Sequence, residues 1–237
     1  MRHCCWWPPT HAAAGRAPSG PTTHDCLSRA QPPRPSGSGV RDVSAGERWD
    51  AKYADAREPG PASEFVTGHA DLLAGCPTAV DLAGGTGGTA LWLAEQNIET
   101  TLVDVSGRAL EIARSAAANR GLPLKTRQAD LEAEPLPTAA ELGRGHGWQA
   151  AVCANFLHRP LLAALRALLV PGGIAFVQIA TVDNLLRNAR PGRAYLVERG
   201  ELPELCRGLE TISLDEDWFD NRHEARLVAR RPKRPAV

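Results

Sequence analysis

The sequence has 237 residues, and its 27 Lys and Arg residues balance its 27 Asp and Glu residues, so the formal net charge is zero. A chain of this length can bury a core without disulfide or metal cross-links, and one α/β domain with tails is expected. The balanced charge creates no field that attracts polyanions, which argues against a general nucleic-acid binder.

The six cysteines are scattered without a Cys-x-x-Cys pair. This pattern is typical of a reducing setting and not of a secreted disulfide framework. No stretch approaches the roughly 20 apolar residues of a membrane span, and the N-terminus lacks the apolar run of a signal peptide. We therefore expect a cytoplasmic protein without a membrane partner.

Residues 1–43 are rich in Pro, Ser and Gly, a composition that favours disorder. The His and Cys residues of this stretch lack the usual spacing of zinc ligands, so no metal site is expected. Because Met1 is the only methionine, we also expect translation to start further along, at Val40 or Val43. Residues 232–237 form a basic tail for which exposure to solvent is expected.

After residue 44 the chain alternates between helix-like and strand-like stretches. Trp49 and Tyr53 lie one helical turn apart in a first helix, and a second helix is predicted over residues 62–75. Strands are then predicted at 78–83, 100–106, 124–131, 149–156 and 174–180, and helices at 88–96, 108–121 and 159–173. This alternation predicts parallel strands joined by right-handed crossovers in a doubly wound sheet.

The alternation ends after residue 180. A helix over 200–209 precedes two strand-like runs, 210–219 and 224–232, with no helix between them. These runs predict an antiparallel hairpin at the edge of the sheet. The expected fold is therefore α/β and Rossmann-like, with a mostly parallel sheet and an antiparallel C-terminal edge hairpin.

Four glycines follow the first predicted strand, at positions 84, 85, 87 and 88. Glycine permits positive φ angles and close backbone approach, and the next helix offers unpaired N–H groups at its N-terminus. Ligands of open parallel sheets bind at this place. We expect a ligand to lie against the turn, and the alternative is that the glycines only tighten a strand-to-helix loop.

The glycines by themselves do not identify the ligand. Residues 85–90 fit G-x-G-x-x-A with Asp104 at the distance of a ribose-binding acid, so an NAD(P)-dependent oxidoreductase is one alternative. Asp81 would repel a pyrophosphate but can attract a cationic amino group, Asp104 can accept both ribose hydroxyls, and Asp130 can accept from an adenine amino group. These three acids favour S-adenosylmethionine as the cofactor.

Five stretches, AVDLAGGTGGTALWLA, TLVDVS, RQADLEAEPLP, WQAAVCANFLHRPLL and LLVPGGIAFVQ, occur in this order. With them the chain resembles a class I S-adenosylmethionine-dependent methyltransferase, most closely the tellurite-resistance-like branch that acts on small molecules. The resemblance covers residues 44–231 and implies seven strands with the last one antiparallel. It implies these cofactor-binding residues: Trp49, Tyr53, Asp81, Ala83, Gly84, Gly85, Gly87, Asp104, Val105, Asp130, Leu131 and Asn155.

The chain departs from the family at Ala83 and Gly84, where the motif begins with glycine and then cysteine or serine. The methyl group of Ala83 is expected to reduce affinity for the cofactor. Catalysis is assigned to His158 as a base and Arg159 as an anion holder. The alternative is that both residues help to begin the next helix.

Methyl transfer from a sulfonium needs alignment and exclusion of water, and no metal is expected. A small, soft acceptor such as a thiol or a chalcogen oxyanion fits this chemistry. A cofactor-binding protein without turnover is a further alternative.

Overall fold

The computed structural model describes residues 43–233. The expectations for the N-terminal stretch before residue 43, and for residues 234–237 of the basic tail, lie outside this range. The helices are α1 (Ala45–Lys52), α2 (Glu64–Thr67), α3 (Gly88–Glu95), α4 (Gly107–Arg120), α5 (Arg159–Leu168) and α6 (Glu201–Leu205). The strands are β1 (Thr78–Leu82), β2 (Glu99–Asp104), β3 (Leu124–Gln128), β4 (Trp148–Ala154), β5 (Leu169–Ala180), β6 (Glu210–Phe219) and β7 (Arg222–Arg230).

The described strands form one seven-stranded sheet in the order β3-β2-β1-β4-β5-β7-β6. The first five strands pair in parallel, and β7 is antiparallel to both of its neighbours. The predicted fold class, including the C-terminal edge hairpin, is confirmed. Because β2 and β4 lie on opposite sides of β1, the strand order reverses at β1.

Apolar side chains cover both faces of the sheet. Strand β1 is buried along its whole length, with Ala79 in the cluster that includes Phe65 and Leu93, and Val80 in the cluster that includes Leu162. Burial of one such side chain contributes about 1.5 to 3 kcal/mol. A central strand buried on both faces reads as a nearly continuous apolar run, and Asp81 is the charged exception in β1.

Helix α4 has the predicted C-terminal end. Gly121 follows it with a left-handed φ of 64°, a conformation that glycine adopts without steric cost. At its other end, the hydroxyl of Ser106 accepts from the N–H of Ala109 at 3.0 Å. This helix follows β2 directly, so its first turn lies beside Asp104.

Two predicted helices differ from the structure. The stretch 62–75 is split into α2 and a 3-10 turn at Ala70–Leu73, because His69 has φ −114° and ψ 32° and interrupts the helix. The stretch 159–173 is helical only to Leu168, and β5 begins at the next residue. Pro171 lacks an N–H group and cannot continue a helix, and a Cβ at Gly173 would lie 2.9 Å from the carbonyl oxygen of Val170.

No helix within residues 43–233 is long and apolar enough to cross a membrane.

Candidate functional site

The glycine turn joins β1 to α3 at the point where the strand order reverses. In open α/β sheets, the connections from neighbouring strands diverge at such a point and leave a crevice at the carboxyl ends of the strands. Ala83, Gly85 and Gly87 have positive φ angles of 53°, 57° and 84°. The turn therefore needs glycine-like backbone geometry, and Ala83 adopts it in spite of its methyl group.

Three of the four glycines are required by packing within the protein. A Cβ atom at Gly84 would lie 2.5 Å from Oδ2 of Asp81, and one at Gly87 would lie 2.8 Å from a side chain of α4. A Cβ at Gly88 would lie 2.2 Å from the carbonyl oxygen of Gly60. The tight-loop alternative thus accounts for these three positions.

Gly85 differs because it faces the crevice. A Cβ atom there would lie 2.7 Å from the hydroxyl of Tyr53, and within residues 43–233 Tyr53 is the one residue outside the turn within 4 Å of it. Gly85 is therefore the position in the turn where a ligand can lie against the backbone.

Asp81 is buried beneath the turn, with 2% of its surface exposed. The N–H of Ala90, in the first turn of α3, favours the ionised form of its carboxyl group, whereas Oδ2 has no hydrogen-bond partner among the described residues. Burial, and then the charge of Asp104, raise the pKa of Asp81 to about 7. Asp81 thus occupies the N-terminus of α3, where a dinucleotide fold would bind its pyrophosphate.

Asp104 ends β2 and is held by two backbone groups. Its Oδ2 accepts from the N–H of Gly85 at 2.8 Å, and its Oδ1 accepts from the N–H of Ser106 at 2.9 Å. Burial raises the pKa of Asp104, while these N–H groups and the charge of Lys52 oppose that rise. Each carboxylate oxygen can accept more than one hydrogen bond, as the predicted ribose contact requires.

Residues 44–63 lie across the crevice, and we name them the cover segment. Trp49 and Tyr53 belong to this segment, with ring centroids 6.0 Å apart, and their contact with the cofactor stays a prediction. The ammonium group of Lys52 lies 4.1 Å from the ring centroid of Trp49.

Two titratable groups of the cover segment have shifted pKa values. Burial and then the charge of Asp104 raise the pKa of Tyr53 to about 12. Burial lowers the pKa of Lys52, and the charge of Asp104 opposes this change. The sequence analysis did not include Lys52 among the site residues. Its position between Trp49 and Tyr53 in the sequence could have indicated that it lies near the site.

The residues predicted for adenine and its neighbourhood differ in exposure. Val105 lies under α1, since a Cβ at Gly46 would be 3.4 Å from its carbonyl oxygen. Asp130 is exposed after β3, and its Oδ1 accepts from the N–H of Glu132 at 2.9 Å. Leu131 is 3% exposed and belongs to the core. Asp130 is therefore accessible to a ligand, whereas Leu131 mainly supports the site from below.

Asn155 follows β4 at the same edge of the sheet. It is exposed and has a left-handed φ of 61°, and its N–H donates to the carbonyl oxygen of Gln178 at 2.7 Å. Non-glycine residues in this conformation are concentrated at functional sites. The bond to β5 fixes the backbone of Asn155 at the carboxyl end of β4, and its place near the methionine end of the cofactor stays a prediction.

The two predicted catalytic residues have different surroundings. His158 precedes α5 with its ring centroid 6.5 Å from that of Phe156, and its Nε2 is buried without a hydrogen-bond partner among the described residues. Arg159 forms a two-point ion pair with Glu201, at 2.7 and 3.0 Å. This ion pair favours the alternative that Arg159 helps to begin α5 and does not hold an anion. His158, in contrast, has a ring nitrogen that is free to act as a base.

A buried polar chain beside the crevice was missed from the sequence. The hydroxyl of Ser63 donates to Oε1 of Gln178 at 2.8 Å, and Nε2 of Gln178 donates to Glu224 at 2.6 Å. Arg226 also donates to Glu224, at 3.1 Å. The one polar residue in the apolar run IAFVQIA was the available signal for this chain of contacts.

The sequence around the glycine turn is similar to a known protein family. The model of a family described as "Methyltransferase domain" matches residues 79–173, a range that contains the glycine turn, Asp81, Asp104 and Asn155. Residues 79–173 therefore match a methyltransferase domain. The match confirms the predicted enzyme class, an S-adenosylmethionine-dependent methyltransferase, and the predicted cofactor. No curated protein is significantly similar to the chain in sequence.

Solved structures share the fold of the methyltransferase domain at low sequence identity. A structure described for the conversion of a disulfide bond into a thioacetal group during echinomycin biosynthesis is 20% identical, with a TM-score of 0.62, and covers 80% of this chain and 94% of its own. TehB from Haemophilus influenzae is 16% identical, with a TM-score of 0.60, and covers 78% of this chain and 66% of its own.

A third structure is the 1,6-didemethyltoxoflavin-N1-methyltransferase of Burkholderia thailandensis with bound 1,6-didemethyltoxoflavin and S-adenosylhomocysteine. It is 19% identical, with a TM-score of 0.53, and covers 81% of this chain and 85% of its own. At these identities the likeness to all three structures shows the shared fold alone.

The residues at the crevice fit S-adenosylmethionine. Asp104 and the exposed Asp130 offer acceptor oxygens, and the group that lies against Gly85 is the hydroxyl of Tyr53 from the cover segment. Asp81 fills the helix N-terminus that a phosphate would need.

Proposed function

We propose that the methyltransferase domain transfers a methyl group to a small, soft acceptor such as a thiol or a chalcogen oxyanion. The observation that carries the choice of cofactor chemistry is the buried carboxyl group of Asp81, whose Oδ2 lies 2.5 Å from the position that a Cβ of Gly84 would take in the glycine turn. It places a carboxyl group at the N-terminus of α3, which suits a cofactor without phosphates and opposes the oxidoreductase alternative.

We assign the cofactor contacts to the residues that line the crevice. Asp104 would accept from the ribose, Asp130 from the adenine amino group, and Asn155 would border the methionine end. Gly85 would lie against the cofactor, and Tyr53 would cover it. The remaining residues in this assignment are Trp49, Asp81, Ala83, Gly84, Gly87, Val105 and Leu131.

S-adenosylmethionine supplies an activated methyl group on a sulfonium sulfur. The protein's part is to align the acceptor and to exclude water, which favours a rigid and covered crevice. The cover segment contributes the shielding, and the contacts of Asp104 with Gly85 and Ser106 contribute the rigidity. No strong base is needed when the acceptor is already a good nucleophile.

Two titratable side chains near the carboxyl edge are already engaged by other residues. Arg159 is engaged by Glu201, and both ring nitrogens of His223 face partners, with Nδ1 2.7 Å from Thr181 and Nε2 3.7 Å from Asp183. His158 thus remains as the candidate base.

The free thiols of Cys76, Cys153 and Cys206 support our proposal of a reducing, cytoplasmic setting for the protein.

The cofactor assignment is tested by calorimetric titration of the whole chain with S-adenosylhomocysteine and, separately, with NADH in the same buffer. We expect binding of S-adenosylhomocysteine and none of NADH. Binding of NADH alone would overturn the proposal and favour the oxidoreductase alternative. Tight binding of S-adenosylhomocysteine justifies an acceptor screen that begins with thiols and chalcogen oxyanions.

The role of His158 is tested with His158→Ala. If His158 takes a proton from the acceptor, turnover falls by about 10²- to 10⁴-fold while affinity for S-adenosylhomocysteine is unchanged. Asn221→Ala, at the hairpin between β6 and β7, is the control. Unchanged turnover of His158→Ala with the true acceptor would remove His158 from the mechanism.

A further inference from the structure

The cover segment is fastened firmly at its C-terminal end. The N–H of Gly60 donates to the hydroxyl of Thr86 at 2.9 Å, and the N–H of Ser63 donates to the hydroxyl of Thr89 at 3.0 Å. The chain then enters α2, whose side chains at 65 and 66 are buried in the core. This end of the cover segment cannot leave the domain without disrupting packed structure.

Its other end, α1, is held differently. No residue of α1 is buried. The contact that fixes it is made by Asp50, whose Oδ1 accepts from the hydroxyl of Ser106 at 2.6 Å and from the N–H of Arg108 at 3.0 Å. Arg108 adds a bond from its guanidinium to the carbonyl oxygen of Ala56 at 3.1 Å. Helix α1 is therefore held against the domain by polar contacts with the start of α4 and not by apolar packing.

The position of Asp50 relates this contact to the crevice. Lys52 and Tyr53 follow it within one helical turn, and the hydroxyl of Tyr53 lies over Gly85. We propose that Asp50 is a positioning residue for cofactor binding, because its contact with Ser106 and Arg108 holds the cover segment closed over the crevice. This inference rests on the proposed function.

A purely structural role for Asp50 would be to complete the N-terminus of α4. Ser106 already performs that task by accepting from the N–H of Ala109. Without Asp50, the N–H of Arg108 would be left in the outer part of the molecule, where water can satisfy it. The hydroxyl of Ser106 and then the N–H of Arg108 lower the pKa of Asp50, so the ionised carboxylate is the form that the contact favours.

The first measurement compares dissociation constants and dissociation rates of S-adenosylhomocysteine for the whole chain and three variants. Asp50→Ala removes the contact, Asp50→Asn keeps an oxygen that can accept both bonds, and Asp55→Ala removes a nearby exposed carboxylate as the control. We expect Asp50→Ala to weaken binding about tenfold, mainly through faster dissociation, with an unchanged unfolding midpoint. Asp50→Asn is expected to restore most of the affinity.

The second measurement needs no cofactor. Trypsin cleaves after Lys52 and Arg57 faster when the chain around them leaves the domain and becomes extended, so we expect faster cleavage at these sites in Asp50→Ala than in the wild type or Asp55→Ala. Wild-type rates in Asp50→Ala would overturn the inference, as would weaker binding without faster cleavage.

The two proposals fail in different ways. Absence of S-adenosylhomocysteine binding by the wild type would overturn the proposed function, and the role of Asp50 in cofactor binding with it. Wild-type binding combined with unaltered affinity of Asp50→Ala would overturn the role of Asp50 alone.

Discussion

At the scale of single residues, the site combines two acids in unlike surroundings with a strained alanine. Asp104 accepts from the N–H groups of Gly85 and Ser106, whereas Asp81 is buried with one oxygen that has no hydrogen-bond partner among the described residues. Ala83 adopts a left-handed φ of 53°. The residue types were readable from the sequence, but these differences in surroundings follow from how the turn folds over β1.

Ala83→Gly is expected to stabilise the protein and to increase its affinity for S-adenosylhomocysteine. Removal of the methyl group relieves left-handed strain, a gain on the order of 1 kcal/mol that the added freedom of the unfolded chain partly cancels. Thermal unfolding and calorimetry measure the two effects. Asn97→Gly is the control, since Asn97 has a φ of 63° just after α3 and should change stability without changing affinity.

Asp104→Asn is expected to weaken S-adenosylhomocysteine binding by about 1.5 to 3 kcal/mol, roughly 10- to 150-fold in the dissociation constant. The amide loses the negative charge and one of the two acceptor oxygens that Gly85 and Ser106 already use. Calorimetric titration measures the loss, with the exposed Asp71→Asn as the control. Wild-type affinity would show the ribose assignment to be wrong.

At the scale of elements, the N-terminus of α3 is enclosed by protein. Asp81 approaches it from β1, and the backbone at residues 60 and 61 packs against Gly88. The element itself was predicted within one residue at its end, because its apolar run follows the glycine turn. The partner at its N-terminus was not predicted, because the contact between residues 60 and 88 joins distant parts of the chain.

Gly88→Ala is expected to destabilise the protein by about 1 to 3 kcal/mol and to loosen the cover segment. The added Cβ would lie 2.2 Å from the carbonyl oxygen of Gly60, and backbone on both sides must shift. Urea unfolding gives the change in free energy. Gly192→Ala is the control, since its Cβ would meet nothing within 4 Å. Equal stability of the two variants would contradict the packing argument.

At the scale of the whole molecule, the burial of Asp81 connects the site to global stability. Its pKa is raised from 3.8 to about 7, so the folded chain binds this proton more firmly than the unfolded chain does. The contribution of Asp81 to the free energy of unfolding is therefore complete below about pH 4 and is lost as the pH rises towards 7. The slope approaches about 1.4 kcal/mol per pH unit.

Asp81→Asn is expected to remove this slope, because the amide does not titrate. Relative to the variant, the wild type should lose stability steadily between about pH 4 and pH 7 and stay level above that range. Urea unfolding at several pH values gives the difference, and Asp55→Asn serves as an exposed control. A constant difference between wild type and Asp81→Asn would mean that Asp81 is ionised throughout.

The sequence by itself determined the sheet, the glycine turn and the class of enzyme. Apolar runs, helix ends and the order of motifs are local, and each can be recognised within about 15 residues. The hairpin was predicted for the same reason, since the run 210–219 agrees with β6 and no helix separates it from β7.

Only the tertiary structure decided how the acids are used. It placed Asp81 under the turn, paired Arg159 with Glu201, and brought Asp50 to the start of α4 across 56 residues of chain. Contacts of this kind depend on which strands are neighbours and how closely their loops pack. They leave no periodic pattern in the sequence, because either partner alone reads as an ordinary polar residue.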